Sequence, residues 1–147
     1  MSIPQSGGGP IEHHSQLAEY LESGCKPKAD WRIGTEHEKF GYCKDTLQPL
    51  PYEGARSIHA VLSGLQHRYD WDPVTEGGHL IGLTKDGANV SLEPGGALEL
   101  SGAPLETIHQ TCDEVNDHLR EVKTIADEIG VGFIGLGAAP DWSHGQM

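Results

Sequence analysis

Apolar positions along this 147-residue chain follow two rhythms, one of three to four residues and one of two. Leu17, Ala18 and Leu21 sit on one side of a short helix, with Ser15 as its expected N-cap and Gly24 as its stop. Pro49 and Pro51 mark a loop, after which Ile58, Val61, Leu62 and Leu65 put a second helix within Tyr52–Tyr69. Leu105, Ile108, Cys112, Val115, Leu119, Val122 and Ile125 recur every three or four residues, predicting one long amphipathic helix opened by Pro104 and closed by Gly130. Period-two or short apolar runs predict strands over Trp31–Cys43, His79–Thr84, Ala88–Glu93 and Ala97–Ser101, with a last strand starting at Val131. Asp86-Gly87 tolerates the positive φ of a tight hairpin, and Pro94-Gly95-Gly96 stops pairing and reverses the chain. Antiparallel strands with long helices make this an α+β fold.

Strand parity then sorts the carboxylates. Glu36 and Glu38 are two apart on one strand and project from the same face. Along Ala88–Glu93, Asn89, Ser91 and Glu93 share the face opposite Val90 and Leu92; along Ala97–Ser101, Glu99 and Ser101 lie opposite Leu98 and Leu100. Closing the hairpin on its apolar residues brings Glu93 and Glu99 to one polar face. If that face adjoins the Trp31–Cys43 strand, Glu36, Glu38, Glu93 and Glu99 surround one cavity. Carboxylates held that close repel unless a cation or proton lies between them. All-oxygen donors select hard cations, so Mg²⁺ or Mn²⁺ is expected, bridging protein carboxylates and nucleotide phosphates.

Composition narrows the partners. Asp and Glu number 22 against 10 Lys and Arg, a formal net charge of -12, which repels nucleic acid and anionic membrane surfaces. The 36% apolar content and mean hydropathy of -0.43 are low for a self-contained globular domain. Three cysteines without C-x-x-C spacing fit neither a disulfide framework nor a zinc ribbon. Cys112, within the apolar stripe, is expected to be buried and inert. With no long apolar run and no signal-like start, a cytoplasmic location is expected, a plastid being the alternative for a plant protein although no transit peptide is evident.

Other motifs fall away on context. His37-Glu38-Lys39-Phe40-Gly41 has glycine where a zincin helix needs its second histidine. Gly130-Val131-Gly132-Phe133-Ile134-Gly135 matches G-x-G-x-x-G, but here helix precedes strand, the reverse of a dinucleotide fold. No Walker A sequence is present.

Trp31-Arg32-Ile33-Gly34-Thr35-Glu36-His37-Glu38-Lys39-Phe40-Gly41 resembles a signature of the plant and proteobacterial type of glutamate–cysteine ligase. Ser91-Leu92-Glu93-Pro94-Gly95-Gly96-Ala97-Leu98-Glu99-Leu100-Ser101-Gly102-Ala103-Pro104-Leu105 resembles a second, and His109–Cys112 and Gly132–Gly137 continue in register. The resemblance implies a glutamine-synthetase-like catalytic fold, an antiparallel sheet forming an active-site funnel. It implies joining the γ-carboxylate of glutamate to the amine of cysteine through γ-glutamyl phosphate, with ATP as co-substrate and Mg²⁺ or Mn²⁺ as cofactor. By motif match Glu36, Glu38 and Glu93 are metal ligands and Glu99 a further candidate; Arg32 and Lys39 have no definite role and no catalytic residue is assigned. Plant-type members form a regulatory disulfide from a cysteine in the helix that holds Cys112, with a partner beyond residue 147. The Ser-, Gly- and Pro-rich start (Gly7, Gly8, Gly9, Pro10) makes residues 1–14 an expected mobile lead-in, and because family members are much longer, 15–147 is expected to be the N-terminal portion of the catalytic domain, inactive alone. The competing expectations are a non-catalytic metal- or partner-binding module on the same scaffold, and a related ligase using another amine.

Overall fold

The computed structural model describes residues 9–140. The expected lead-in therefore lies largely outside the described residues, as does the segment 141–147.

Among the described residues six strands form one antiparallel sheet: β1 Glu36–Cys43, β2 Asp72–Glu76, β3 His79–Lys85, β4 Ala88–Glu93, β5 Ala97–Ser101 and β6 Val131–Ile134. Their spatial order is β2-β3-β4-β5-β1-β6. The meander β2 to β5 runs through sequential hairpins, and β1 then closes on β5 from far away in the chain. Asp86 and Gly87 take φ of 51° and 87°, and Gly95 and Gly96 take 82° and 76°, so both tight reversals use the left-handed region.

Three α-helices of the described residues accompany the sheet: α1 His14–Ser23, α2 Ile58–Tyr69 and α3 Ile108–Ile129. Helix α2 buries Ile58, Val61, Leu62 and Leu65, and these join Leu83, Val90, Leu98, Leu100 and Val131 of the sheet with Val122, Ile125 and Ala126 of α3 in one core. Helices α2 and α3 thus cover the Leu98–Leu100 face. By strand alternation the glutamates point from the opposite face.

Several sequence expectations shift. The first helix is capped at His13, not Ser15: Gln16 Oε1 accepts from the backbone N–H of Glu12 and His13 at 2.6 and 2.8 Å, while Gly24 does end it. Strand β1 starts at Glu36 rather than Trp31, because residue 33 makes only an isolated bridge to Leu105 and Trp31 stays 63% exposed. Helix α2 starts at Ile58, where Ser57 Oγ accepts the Ala60 N–H at 3.1 Å. Helix α3 starts after Thr107, not Pro104, through a capping box with Gln110. Strand β2 was not expected: Asp72 and Pro73 are polar or non-donating, as suits the outer strand that it is.

The α3 stripe is the largest correction. Its buried residues are Thr111, His118, Val122, Ile125 and Ala126, whereas Ile108 is 63% exposed and Cys112 is exposed. The sequence stripe mixed two neighbouring rows. Thr111, Val115, His118, Val122 and Ile125 face the core, and Ile108, Cys112 and Leu119 lie on the flank beside them, so the expectation of a buried Cys112 thiol is wrong.

Candidate metal-binding site

The polar face of the sheet is assembled by register. In the β1–β5 ladder Glu38 pairs with Glu99 and Glu36 with Ser101; in the β4–β5 ladder Ser91 pairs with Glu99 and Glu93 with Ala97. Directly paired residues project from the same side of a sheet, so one row runs Ser91–Glu99–Glu38 and the next Asn89–Ser101–Glu36. Glu93 stands two residues along β4 from Ser91, beside the Pro94-Gly95-Gly96 turn.

Three carboxylates converge. One oxygen each from Glu38, Glu93 and Glu99 lie within 4.8 Å of one another, the first exposed, the second half-buried and the third buried. Glu36 shares the face but not this cluster, being one row further along β1. Glu99 is most enclosed, at 6% exposure. Ser91 Oγ donates to its Oε2 at 3.4 Å and Ser101 Oγ to its Oε1 at 3.3 Å. An oxygen-only donor set of this spacing fits Mg²⁺ or Mn²⁺.

Behind the cluster the helix-covered face holds buried polar groups. Lys39, 1% exposed, donates its ammonium to the carbonyls of His37 and Leu98, both at 3.3 Å. Burial pushes its pKa down to about 8 despite the opposing pull of Glu99. His118 of α3 is 2% exposed, and neither ring nitrogen meets a protein hydrogen-bond partner. Burial, and then the charges of Lys39 and His37, lower its pKa to about 3. Arg32 lies apart from this arrangement, donating to the carbonyls of Trp31 and Ala29 and pairing with Glu106.

Residues 32–147 match the family described as glutamate-cysteine ligase family 2 (GCS2). The chain belongs to this family. It is 57% identical over 127 residues to the rice "Glutamate--cysteine ligase A, chloroplastic" (Oryza sativa subsp. japonica), covering 86% of this chain and 25% of the relative. It is 56% identical over 128 residues to the Medicago truncatula glutamate–cysteine ligase, with 87% and 25% coverage, and 54% identical over 126 residues to that of Arabidopsis thaliana, with 86% and 24%. The chain thus spans about a quarter of the length of these curated relatives. All three relatives are named chloroplastic, which overturns the expectation of a cytoplasmic location; that expectation rested on the lack of a long apolar run and of a secretory-type start, and neither reports on plastid import.

Sequence reasoning placed all four glutamates of the ligase signatures on one face. It assigned no role to Ser91 and Ser101, although the same parity puts both hydroxyls on the Glu99 side, and it did not single out His118, which lies between the apolar positions of its stripe.

Proposed function

We propose that this chain is the metal-holding portion of an ATP-dependent glutamate–cysteine ligase that joins the γ-carboxylate of glutamate to the amine of cysteine, the first step of glutathione synthesis. The observation that carries this reading is the convergence of Glu38, Glu93 and Glu99 within 4.8 Å in a chain of this family. A carboxylate is a poor electrophile and is activated by phosphoryl transfer before the amine attacks, and such transfer depends on positioning and charge neutralisation. Mg²⁺ or Mn²⁺ held by Glu38, Glu93 and Glu99, with Glu36 in the adjacent row, would neutralise charge on the phosphate oxygens of ATP. The strands give these carboxylates a rigid base, and the Pro94-Gly95-Gly96 turn sets the distance between Glu93 and Glu99. The one-faced antiparallel sheet supports a glutamine-synthetase-like catalytic fold, with residues 15–147 as the N-terminal portion of its catalytic domain. Names of the relatives favour a plastid setting, and the substrates are the small molecules glutamate, cysteine and ATP.

The test places Glu38→Gln and Glu99→Gln in a ligase of the relatives' length carrying this segment, and follows ADP release with glutamate, cysteine and Mg²⁺. Loss of turnover on the order of 100-fold or more is expected for each. Near-normal turnover in both variants would remove the cluster from the reaction.

A further inference from the structure

Glu99 differs from its two neighbours in how deeply it is buried. It lies on β5, between β4 and β1 in the sheet order, and is buried where Glu38 is exposed and Glu93 half-buried. Its two carboxylate oxygens each receive a different hydroxyl. Ser91 reaches Oε2 from across the β4–β5 ladder, where it is the direct partner of Glu99. Ser101 reaches Oε1 from two residues further along β5. One hydroxyl therefore approaches across the strands and the other along them, so together they restrict rotation of the carboxylate plane. Ser91 is itself 5% exposed, and Ser101 is held by pairing on both sides, to Asn89 and to Glu36.

The chemical choice is informative. A buried carboxylate needs donors, and two of those that reach Glu99 are serine hydroxyls. A serine hydroxyl supplies one proton and no charge. Both contacts, at 3.3 and 3.4 Å, are long for O–H···O bonds. Lys39, the nearby ammonium, lies on the other face with its protons on the carbonyls of His37 and Leu98.

We propose that Ser91 and Ser101 are positioning residues that orient the Glu99 carboxylate as the pre-set ligand of a divalent-cation site, to which the exposed Glu38 and half-buried Glu93 then close. This rests on the metal-holding role of the glutamates. Hydrogen bonds that orient a ligating carboxylate are worth roughly 10- to 100-fold in metal affinity.

The experiment titrates Mn²⁺ into the 147-residue chain, reading free ion by its electron paramagnetic resonance signal, for the wild type, Ser91→Ala/Ser101→Ala, Ser101→Thr and Glu99→Gln. Urea unfolding of each without metal runs in parallel. The expected result is binding roughly 10- to 100-fold weaker in the double-alanine variant, unchanged metal-free unfolding, and near-wild-type binding in Ser101→Thr, which keeps the hydroxyl. Wild-type affinity in the double-alanine variant, with binding lost in Glu99→Gln, would overturn the serine role and leave the metal reading standing. Wild-type affinity in Glu99→Gln, or no binding by the wild type, would overturn both. Weakened binding that Ser101→Thr shares, accompanied by a lower unfolding midpoint, would make the serines structural and overturn the proposal.

Discussion

Glu38 stands directly opposite Glu99 across the β1–β5 ladder. Like charges in direct cross-strand register destabilise a sheet, with pair effects of about 0.2–1 kcal/mol. Helix-side packing alone gives no reason to keep that repulsion, whereas a cation between the two would reverse its sign. Glu38→Gln is therefore expected to stabilise the metal-free chain by a few tenths to about 1 kcal/mol. The same change should abolish the extra stability that saturating Mg²⁺ confers on the wild type. Urea midpoints in EDTA and in Mg²⁺ measure both effects, and a variant less stable than wild type in EDTA would contradict the repulsion.

Acid should weaken the fold through His118. The folded state holds its pKa down to about 3, chiefly by burial, while the unfolded chain takes up the proton near pH 6.5. Between those values the unfolded state binds more protons, so stability falls as pH drops from about 6.5 toward 3. The full swing is on the order of 3–5 kcal/mol. Groups facing this position include Lys39 and His37 of β1. His118→Leu should flatten the decline between pH 6.5 and about 5, above the window in which Asp127, held at about 2 in the folded chain by Lys123 and Lys44, loses its contribution, since that window opens around its unfolded value of about 4. An equally steep decline in the variant would assign the acid sensitivity elsewhere.

Glu114 ties α3 to the end of β5. Its Oε1 accepts the Ala103 N–H at 2.8 Å, and a Cβ on Gly102 would overlap its Oε2 and approach the Thr35 carbonyl to 3.2 Å. Gly102→Ala is expected to cost about 1–3 kcal/mol by overpacking. Because the clash is mainly with one carboxylate, the same change should cost clearly less in a Glu114→Ala background, a non-additivity that a double-mutant cycle detects. Strict additivity would place the strain at the Thr35 backbone instead.

The cysteines offer a quick check of the α3 rotation. Cys25 and Cys112 are exposed and Cys43 is half-buried. A thiol reagent added to the folded chain should modify two cysteines rapidly and one slowly, and Cys112→Ser should remove one rapid equivalent. A Cys112 that reacts only on unfolding would return it to the buried row of α3.

Legibility in the sequence followed the range of the interaction. The β4–β5 hairpin was readable because its determinants are local: alternation of Val90, Leu92, Leu98 and Leu100, and a turn that requires positive φ. The start of α2 was less readable, since Ser57 becomes a cap only once the chain from Pro51 is folded against it. The inward row of α3 was misjudged because Thr111 and His118 are polar by composition yet buried by the helix's rotation on the sheet.

For the carboxylates, the sequence by itself determined the face of each glutamate, because side chains in a strand alternate with period two whatever the strand pairs with. It did not determine which strands are neighbours. Only the tertiary structure set β1 beside β5, in a register that puts Glu38 and not Glu36 opposite Glu99. That register joins residues some sixty positions apart, and it is settled by how α2 and α3 pack on the sheet's other face, where a slip of one residue would turn the carboxylates into the core.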